Sequence, residues 1–411
     1  MQTSAAERSR HAAAAGPEEV SMSPAVKGLW LVGLVLCGVV CSPVRTSHGD
    51  SRTHVDTSRF GVGVSPSYGR IGDYAIEQLH IGWYSDWSIN IAPQRPCGVE
   101  YAQLIRVSAD SYPPNWETIA RIIAANPASL WIIGNEPECI SQDNRTPQEY
   151  AGIYHQCHAF IKSHDPDAQV AIGGVVVPTP LRLQWLADVL EAYQSFYSEP
   201  MPIDVWNIHV QILQEKRGSW GCGIPAGLSP DEGELFTVED NADPDLFNQL
   251  VWAFRRWLAD RGHRDKPLII SEFGVLMPSE YLGNGDRATG DKIVTDFMSS
   301  VFDFLRLSRD ESVGCPGDDQ HLVQRWVWYS LNEPYYDFQT QTGMNGGLFE
   351  AADPPQLTVL GHHWKRYMDA LLGTQHQVYL PLHFPALAVP STMPGENPSA
   401  TGAASSSAEA H

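Results

Sequence analysis

The sequence lacks the features of several common classes of protein. Basic residues are scarce, since 27 lysines and arginines face 48 acidic residues and the formal net charge is −21. Nucleic acids and anionic membrane surfaces are bound through basic patches, so this balance argues against both as partners. None of the seven cysteines forms a C-x-x-C metal or redox motif. No glycine-rich phosphate fingerprint follows the first predicted strand, which argues against a dinucleotide-binding fold.

Long apolar runs are also scarce. Residues 28–41 form an uncharged apolar run of fourteen, which is short for a membrane span and typical of a signal-peptide core. We therefore predict a signal region over residues 1–41, with residues 1–21 a misassigned start before Met22, and a protein that is secreted or extracytoplasmic. Cleavage, lipidation at Cys41 and retention of an uncleaved anchor all stay open, and no other membrane insertion is expected.

The rest of the chain predicts a barrel. Hydrophobic residues make up 43% of the sequence, and thirteen tryptophans add to a core. Eight strand-like segments, mostly separated by helical patterns, favour an α/β fold, a (β/α)8 TIM barrel. The predicted strands are 60–64, 81–87, 101–107, 129–137, 170–175, 203–212, 267–274 and 325–331. The predicted helices are 71–79, 116–125, 146–164, 183–196, 246–259, 292–307 and 357–372.

The domain limits follow from composition. A polar linker covers residues 42–57, a single catalytic domain covers residues 58–374, and a tail rich in proline, alanine and serine covers residues 375–411. The tail is predicted to be largely disordered. Five cysteines follow the signal region, and their odd number leaves at least one thiol unpaired. A disulfide between Cys139 and Cys222 is one option.

Two of the predicted strands end in a carboxylate. The segment 129–137 is an apolar run that closes with Asn135, Glu136 and a proline, and the segment 267–274 has the same form with Glu272. A carboxylate at the end of a buried strand is costly to bury, so it is expected to face a cleft. In a (β/α)8 barrel the active site lies where these strand ends meet. Glycoside hydrolysis requires such a pair, one carboxyl group protonated and the other ionised.

The same motifs resemble a known group of enzymes. Gly-Asn-Glu-Pro at residues 134–137 and Ile-Ser-Glu-Phe-Gly at residues 270–274 resemble the strand-four and strand-seven signatures of clan A glycoside hydrolases, which are retaining (β/α)8 enzymes. The resemblance implies that Glu136 is the general acid/base and that Glu272 is the nucleophile. It also implies that Asn135 binds the sugar 2-hydroxyl.

Further substrate-binding residues come from the same resemblance. The strand-eight tryptophan of the clan, a sugar-stacking platform, corresponds to Trp328, and Arg106 is the arginine that could serve on strand three. The segment 82–87, Gly-Trp-Tyr-Ser-Asp-Trp, is similar to glycoside hydrolase family 128, whose members act on β-1,3-glucans. Aromatic residues on the predicted loops at the carboxyl edge of the barrel either stack on sugar faces or belong to the core, and they are Trp83, Trp87, Trp220, Tyr335 and Tyr336. Many clan members place a tyrosine after strand six, where this chain has Val210 and Gln211.

Two ambiguities remain at the level of sequence. Asn-Glu-Pro occurs again at residues 332–334, and only the position in the strand order favours Glu136 over Glu333 as the acid/base. His209 on strand six either orients a site carboxylate or is an ordinary core histidine.

The sequence therefore predicts a monomeric retaining glycoside hydrolase. It would cleave β-glycosidic bonds of a carbohydrate substrate, a polysaccharide or oligosaccharide such as a β-glucan, by double displacement without a cofactor or metal. A transglycosylase that uses the same residues, and a non-catalytic carbohydrate-binding barrel, are the alternatives.

Overall fold

The computed structural model describes residues 55–350 and 352–377. The predicted signal region with Cys41, nearly all of the predicted linker, and the tail beyond residue 377 lie outside the described residues. Within the described ranges, no helix is long and apolar enough to cross a membrane.

The strands of the described region form two parallel sheets. One has the order β3-β2-β1-β9-β8-β7 and the other the order β4-β5-β6. Isolated parallel bridges, Ala171 with Val205 and Val175 with Ile208, connect β6 to β7. The predicted α/β fold with parallel strands is therefore confirmed. The strands are β1 (Phe60–Gly63), β2 (Trp83–Ser85), β3 (Glu100–Tyr101), β4 (Gln103–Ile105), β5 (Leu130–Ile133), β6 (Gln169–Ile172), β7 (Trp206–Val210), β8 (Leu268–Phe273) and β9 (Arg325–Trp328).

Helices separate most of the strands, and local sequence sets where they begin. Thr146 and Glu149 form the predicted capping box of α2. Asp243 and Asp286 accept bonds from first-turn amides of α4 and α6. The helices are α1 (Trp116–Ala125), α2 (Pro147–His164), α3 (Pro180–Tyr197), α4 (Pro244–Asp260), α5 (Ser279–Leu282), α6 (Arg287–Leu307) and α7 (Val359–Gln377).

Two predicted elements differ from the structure. The helix predicted over 71–79 is a pair of 3-10 turns, Ile71–Asp73 and Ile76–Gln78, in a segment where Gly72 disfavours a continuous helix. The third predicted strand is divided at Ala102, because β3 pairs with β2 while β4 pairs with β5. One chain segment thus serves both sheets.

The core has two parts that follow from strand alternation. A large apolar cluster lies between the sheets and the helices. A smaller cluster gathers side chains from strands of both sheets or from residues beside them: Trp83, Ala102, Leu104, Ile132, Ala171, Val205, Ile269 and Val327. All pairings are parallel, so neighbouring strands have their carboxyl ends at the same edge of each sheet.

Candidate active site

The structure brings the two predicted catalytic carboxylates together. Glu136 follows β5 and Glu272 lies near the end of β8. One carboxylate oxygen of each and one ring nitrogen of His209 all lie within 4.8 Å of one another. The exposed fractions are 7% for Glu136, 9% for Glu272 and 1% for His209. Three titratable side chains thus share a largely buried site.

Asp143 fixes the backbone that carries Glu136. Its Oδ2 accepts hydrogen bonds from the backbone amides of Asn135 at 2.8 Å and Val107 at 3.0 Å. Its Oδ1 accepts from Arg106 Nε at 2.8 Å. Glu136 itself has a positive φ of 44°. Residues other than glycine rarely adopt this backbone conformation, and those that do are often found at functional sites. The buried Asp143 carboxylate, paired with the half-buried Arg106, therefore holds this turn in place.

His209 lies directly against Glu136. Its Nδ1 is 3.0 Å from Glu136 Oε1, and its Nε2 is 3.0 Å from Ser271 Oγ. Burial lowers the pKa of His209, which favours a neutral ring that donates through one nitrogen and accepts through the other. A Cβ on Gly174 would come within 2.5 Å of this ring, so the close approach requires glycine there. Of the two interpretations open from sequence, the contact with a site carboxylate is the one observed.

Glu272 is held by two donors that the sequence did not assign to it. Trp87 donates from Nε1 to Oε2 at 2.8 Å, and Gln211 donates from Nε2 to Oε1 at 3.1 Å. Gln211 thus contacts the carboxylate that the clan's tyrosine would touch. Strand alternation could have found it, because Gln211 lies two residues after His209 and points to the same side. Trp87 was predicted on a loop at this edge as a sugar-stacking ring, and its hydrogen bond to Glu272 had no sequence signal.

The two carboxylates have different electrostatic surroundings. Burial raises the pKa of Glu136 to about 7, against the opposing charges of Arg182 and Arg106. Burial also raises the pKa of Glu272, as does the neighbouring Glu136, while the hydrogen bonds from Trp87 and Gln211 lower it. Two donors that point at Glu272 favour its ionised form. Glu136 carries its proton up to near-neutral pH.

A cavity of about 410 Å³ opens above this pair. Four of the predicted site residues line it, namely Arg106, Asn135, Glu136 and Glu272. Asn135 donates from Nδ2 to Gln142 Oε1 at 3.3 Å, whereas its Oδ1 is buried without a partner in the described region. A buried acceptor of this kind is expected to be satisfied by something that enters the cavity.

Two predicted sugar-binding tryptophans do not reach the cavity. Trp328 is fully buried, stacks edge-on against Phe273 and donates from Nε1 to Gly346 O at 2.8 Å. The next residue, Tyr329, lines the cavity instead and lies 5.6 Å from the Trp87 ring. Because successive strand residues point to opposite faces, a prediction that is one residue off selects the wrong side chain.

Trp83 is displaced for a different reason. It belongs to the smaller core cluster, donates from Nε1 to Arg59 O at 3.2 Å and lies beneath the Arg325 guanidinium. Arg59 and Arg325 border the amino ends of β1 and β9, at the opposite end of the strands from the carboxylates. Trp83 therefore lies away from the cavity, and Trp87 of the same motif lines it instead.

The disulfide option between Cys139 and Cys222 is not realised. Both side chains line the cavity, and Cys139 Sγ lies 3.7 Å from the carbonyl oxygen of Cys222. All five cysteines of the described region are free thiols.

Glu136, His209 and Glu272 also have the donor types and spacing of a metal site. Their polar atoms, however, already face protein partners. Both oxygens of Glu272 accept from side-chain N–H groups, and both nitrogens of His209 are hydrogen-bonded. These contacts orient the three side chains, and a carboxylate oxygen that accepts one hydrogen bond keeps a second lone pair free.

The site can be compared with known proteins. No family model and no curated protein sequence matches the chain. Among solved structures, the chain is similar to an endo-β-1,3-glucanase of glycoside hydrolase family 128 from Amycolatopsis mediterranei, with 15% identity and a TM-score of 0.48, over 75% of this chain and 99% of that one. It is also similar to a family 128 endo-β-1,3-glucanase from Sorangium cellulosum, with 16% identity and a TM-score of 0.47, over 75% and 97% of the two chains.

A third similar structure has a different stated specificity. It is a curdlan-specific exo-β-1,3-glucanase of family 128 from Blastomyces gilchristii, with 16% identity and a TM-score of 0.46, over 75% of this chain and 98% of that one. The sequence motif at residues 82–87 indicated a resemblance to this family, and these solved structures belong to it.

A buried charge cluster connects the site to the long loop over residues 213–243. Arg182, on the first turn of α3, donates from Nε to Glu138 Oε1 at 2.8 Å, pairs with Glu215 through Nη1, and donates from Nη2 to Cys222 O at 3.3 Å. The side chains of Arg182, Glu138 and Glu215 are fully buried. One guanidinium therefore holds the loop after β5 against the long loop that walls the cavity.

We expect Arg182→Met to destabilise the protein by about 3–5 kcal/mol, because it leaves two buried carboxylates without their cation. Denaturant unfolding measures the loss. Arg217→Met is the matched control in the same loop, since the Arg217–Asp231 pair is largely exposed and is expected to contribute under about 1 kcal/mol. Equal effects of the two substitutions would contradict the assignment.

Proposed function

We propose that the chain is a retaining β-glycosidase built on one closed (β/α)8 barrel. The observation that supports it is the close pair of buried carboxylates at the ends of β5 and β8, whose nearest oxygens are no more than 4.8 Å apart. Retaining enzymes place their carboxyl groups about 5–5.5 Å apart, whereas inverting enzymes leave about 6.5–9.5 Å for a water.

The mechanism follows from the two environments. The ionised Glu272 attacks the anomeric carbon as Glu136 gives its proton to the leaving oxygen, which breaks the glycosidic bond and forms a glycosyl ester on Glu272. Glu136, now ionised, removes a proton from water as the water attacks the anomeric carbon and releases Glu272. Asn135 presents its unpartnered Oδ1 to the sugar 2-hydroxyl, and His209 keeps Glu136 oriented.

The substrate and setting are part of the proposal. The motif at residues 82–87 makes β-1,3-glucan the first substrate to test. The predicted signal region makes the enzyme an exported one, with its catalytic domain over residues 58–374. Transglycosylation by the same residues differs only in the acceptor, and a product analysis with added oligosaccharide distinguishes it from hydrolysis.

Replacement of the two carboxylates is expected to separate their roles. Glu136→Ala and Glu272→Ala should each lower kcat by at least about 10²-fold on a natural β-glucan. With a dinitrophenyl β-glycoside and azide, Glu136→Ala should yield the β-glycosyl azide, because azide attacks the intact glycosyl ester. Glu272→Ala should yield the α-glycosyl azide, because azide replaces the nucleophile. NMR of the products identifies the anomer.

Glu333→Ala is the matched control, because Glu333 belongs to the second Asn-Glu-Pro motif. It should form no glycosyl azide above the wild-type level. The same anomer from both site variants, or near wild-type activity in either, would refute the assigned roles. If a 2-fluoro glycoside fails to label Glu272 covalently, the non-catalytic binding alternative gains support instead.

The pH dependence of kcat/KM is expected to follow the same assignment. Glu136 acts as an acid, so kcat/KM should fall as the pH rises through about 7 and Glu136 loses its proton. With a dinitrophenyl leaving group, which needs no proton, this alkaline decline should weaken or vanish. An unchanged alkaline decline would show that Glu136 is not the acid.

Trp87→Phe tests the decline of kcat/KM at acidic pH. It removes a hydrogen bond that lowers the pKa of Glu272, so the acidic decline should move to higher pH while the alkaline one stays. Profiles recorded from about pH 4 to 9 cover both declines.

A further inference from the structure

A second cavity continues from the catalytic one. Leu213, Gly221, Leu276 and Met344 line both, so the two spaces meet along a common wall. The second cavity has a volume of about 470 Å³, in the range that takes a small-molecule group. We call it the side groove. Its remaining lining residues are Trp220, Val238, Met277, Pro278, Tyr281, Tyr336 and Gly343.

The side groove is apolar and lies open to solvent. No charged side chain among the described residues lines it. Trp220 is 43% exposed, Tyr281 is 55% exposed and Met344 is 43% exposed, so large apolar surfaces face water at one place. A soluble protein rarely exposes apolar side chains in contiguous patches unless they bind something.

An aromatic stack supports one side of the groove. The Phe338 ring lies 5.4 Å from the Tyr281 ring and 5.1 Å from the Tyr336 ring, both edge to face. Phe338 itself is 45% exposed and extends the patch beyond the groove. The three rings come from α5 and from the loop after β9, so each fixes the position of the others. The patch is therefore a built surface.

The contrast with the catalytic cavity indicates what the groove binds. The catalytic cavity carries Arg106, Asn135, Gln142 and two carboxylates, which suits the hydroxyl groups of a sugar. A further sugar in the side groove could stack on these aromatic rings, but its hydroxyl groups would find few hydrogen-bonding side chains besides Tyr281 and Tyr336. Hydroxyl groups that lose water without gaining partners oppose binding. The transfer of an apolar group from water into the groove is favourable, because it buries apolar surface.

We propose that the side groove binds the apolar aglycone of a β-glycoside whose sugar occupies the catalytic cavity. The aglycone would be an alkyl or aryl group that lies across Met344 towards Trp220 and Tyr281. This assignment rests on the proposed glycosidase function for the sugar, while the groove itself is assigned from its own lining. The substrate class is then an amphiphilic β-glycoside in addition to, or in place of, a free polysaccharide.

Affinity for n-alkyl β-glucosides tests the proposal without requiring turnover. Calorimetry on the Glu136→Gln variant, with methyl to octyl glucosides below their micelle concentrations, gives Kd against chain length. We expect Kd to fall roughly two- to fourfold for each methylene that enters the groove. In the added double substitution Trp220→Ser with Tyr281→Ser, octyl glucoside should lose at least tenfold in affinity, while methyl glucoside is unchanged.

Phe196→Ser is the matched control, because Phe196 is 52% exposed on α3 and lies outside both cavities. It should leave the whole series unchanged. Circular dichroism checks that the double variant folds; if it does not, Trp220→Ser alone is measured. A Kd independent of chain length, or a dependence that the substitutions leave intact, would overturn the proposal.

A sugar subsite would give a third result. In that case laminari-oligosaccharides would gain affinity with each added glucose, and the Trp220 and Tyr281 substitutions would abolish that gain while the alkyl series stays flat. That result also overturns the proposal. Failure of the glycosidase assignment appears separately, as absent hydrolysis with the alkyl dependence of Kd retained.

Discussion

The cost of burying two carboxylates side by side is the constraint on which this structure depends. Glu136 and Glu272 each lose most of their hydration, and the charge of Glu136 further raises the pKa of Glu272. Ionising both carboxyl groups in that setting is costly, so the pair holds one proton that resides mainly on one of the two groups. The surrounding donors decide which site keeps it, because Trp87 and Gln211 point at Glu272.

The parts of the chain that hold this pair come from far apart in sequence. Glu136 depends on Asp143 in the following loop, and behind it the Arg182 guanidinium lies buried between two further carboxylates. Glu272 depends on Trp87, whose ring packs so closely over Gly63 that a Cβ there would come within 2.8 Å of it. The parallel strands supply only the common edge. The polar contacts between loops turn that edge into a site of defined charge.

Sequence reasoning succeeded where a local pattern determines a position. An apolar run that ends in Asn135 and Glu136 predicts a strand with a carboxylate after it, and the structure has β5 in that run. Sequence reasoning failed where the position of a side chain depends on which face of a strand it points to, or on contacts with residues far away in the sequence. Trp328 and Tyr329 are neighbours in sequence but face opposite sides. No local pattern states which of them faces the cavity.

The side groove belongs to the second kind of feature. Trp220 lies in the long loop, Tyr281 on a one-turn helix and Met344 beyond β9, and no periodicity connects them. Each of these side chains alone is simply exposed. Only their position together, beside the catalytic cavity, makes them a candidate binding surface. Hydrogen-bonding groups surround the two carboxylates, and bare apolar surface lies next to them, so adjacent parts of one ligand would meet two different environments. Such a division favours a substrate that is itself divided in the same way, with a sugar at one end and an apolar group at the other.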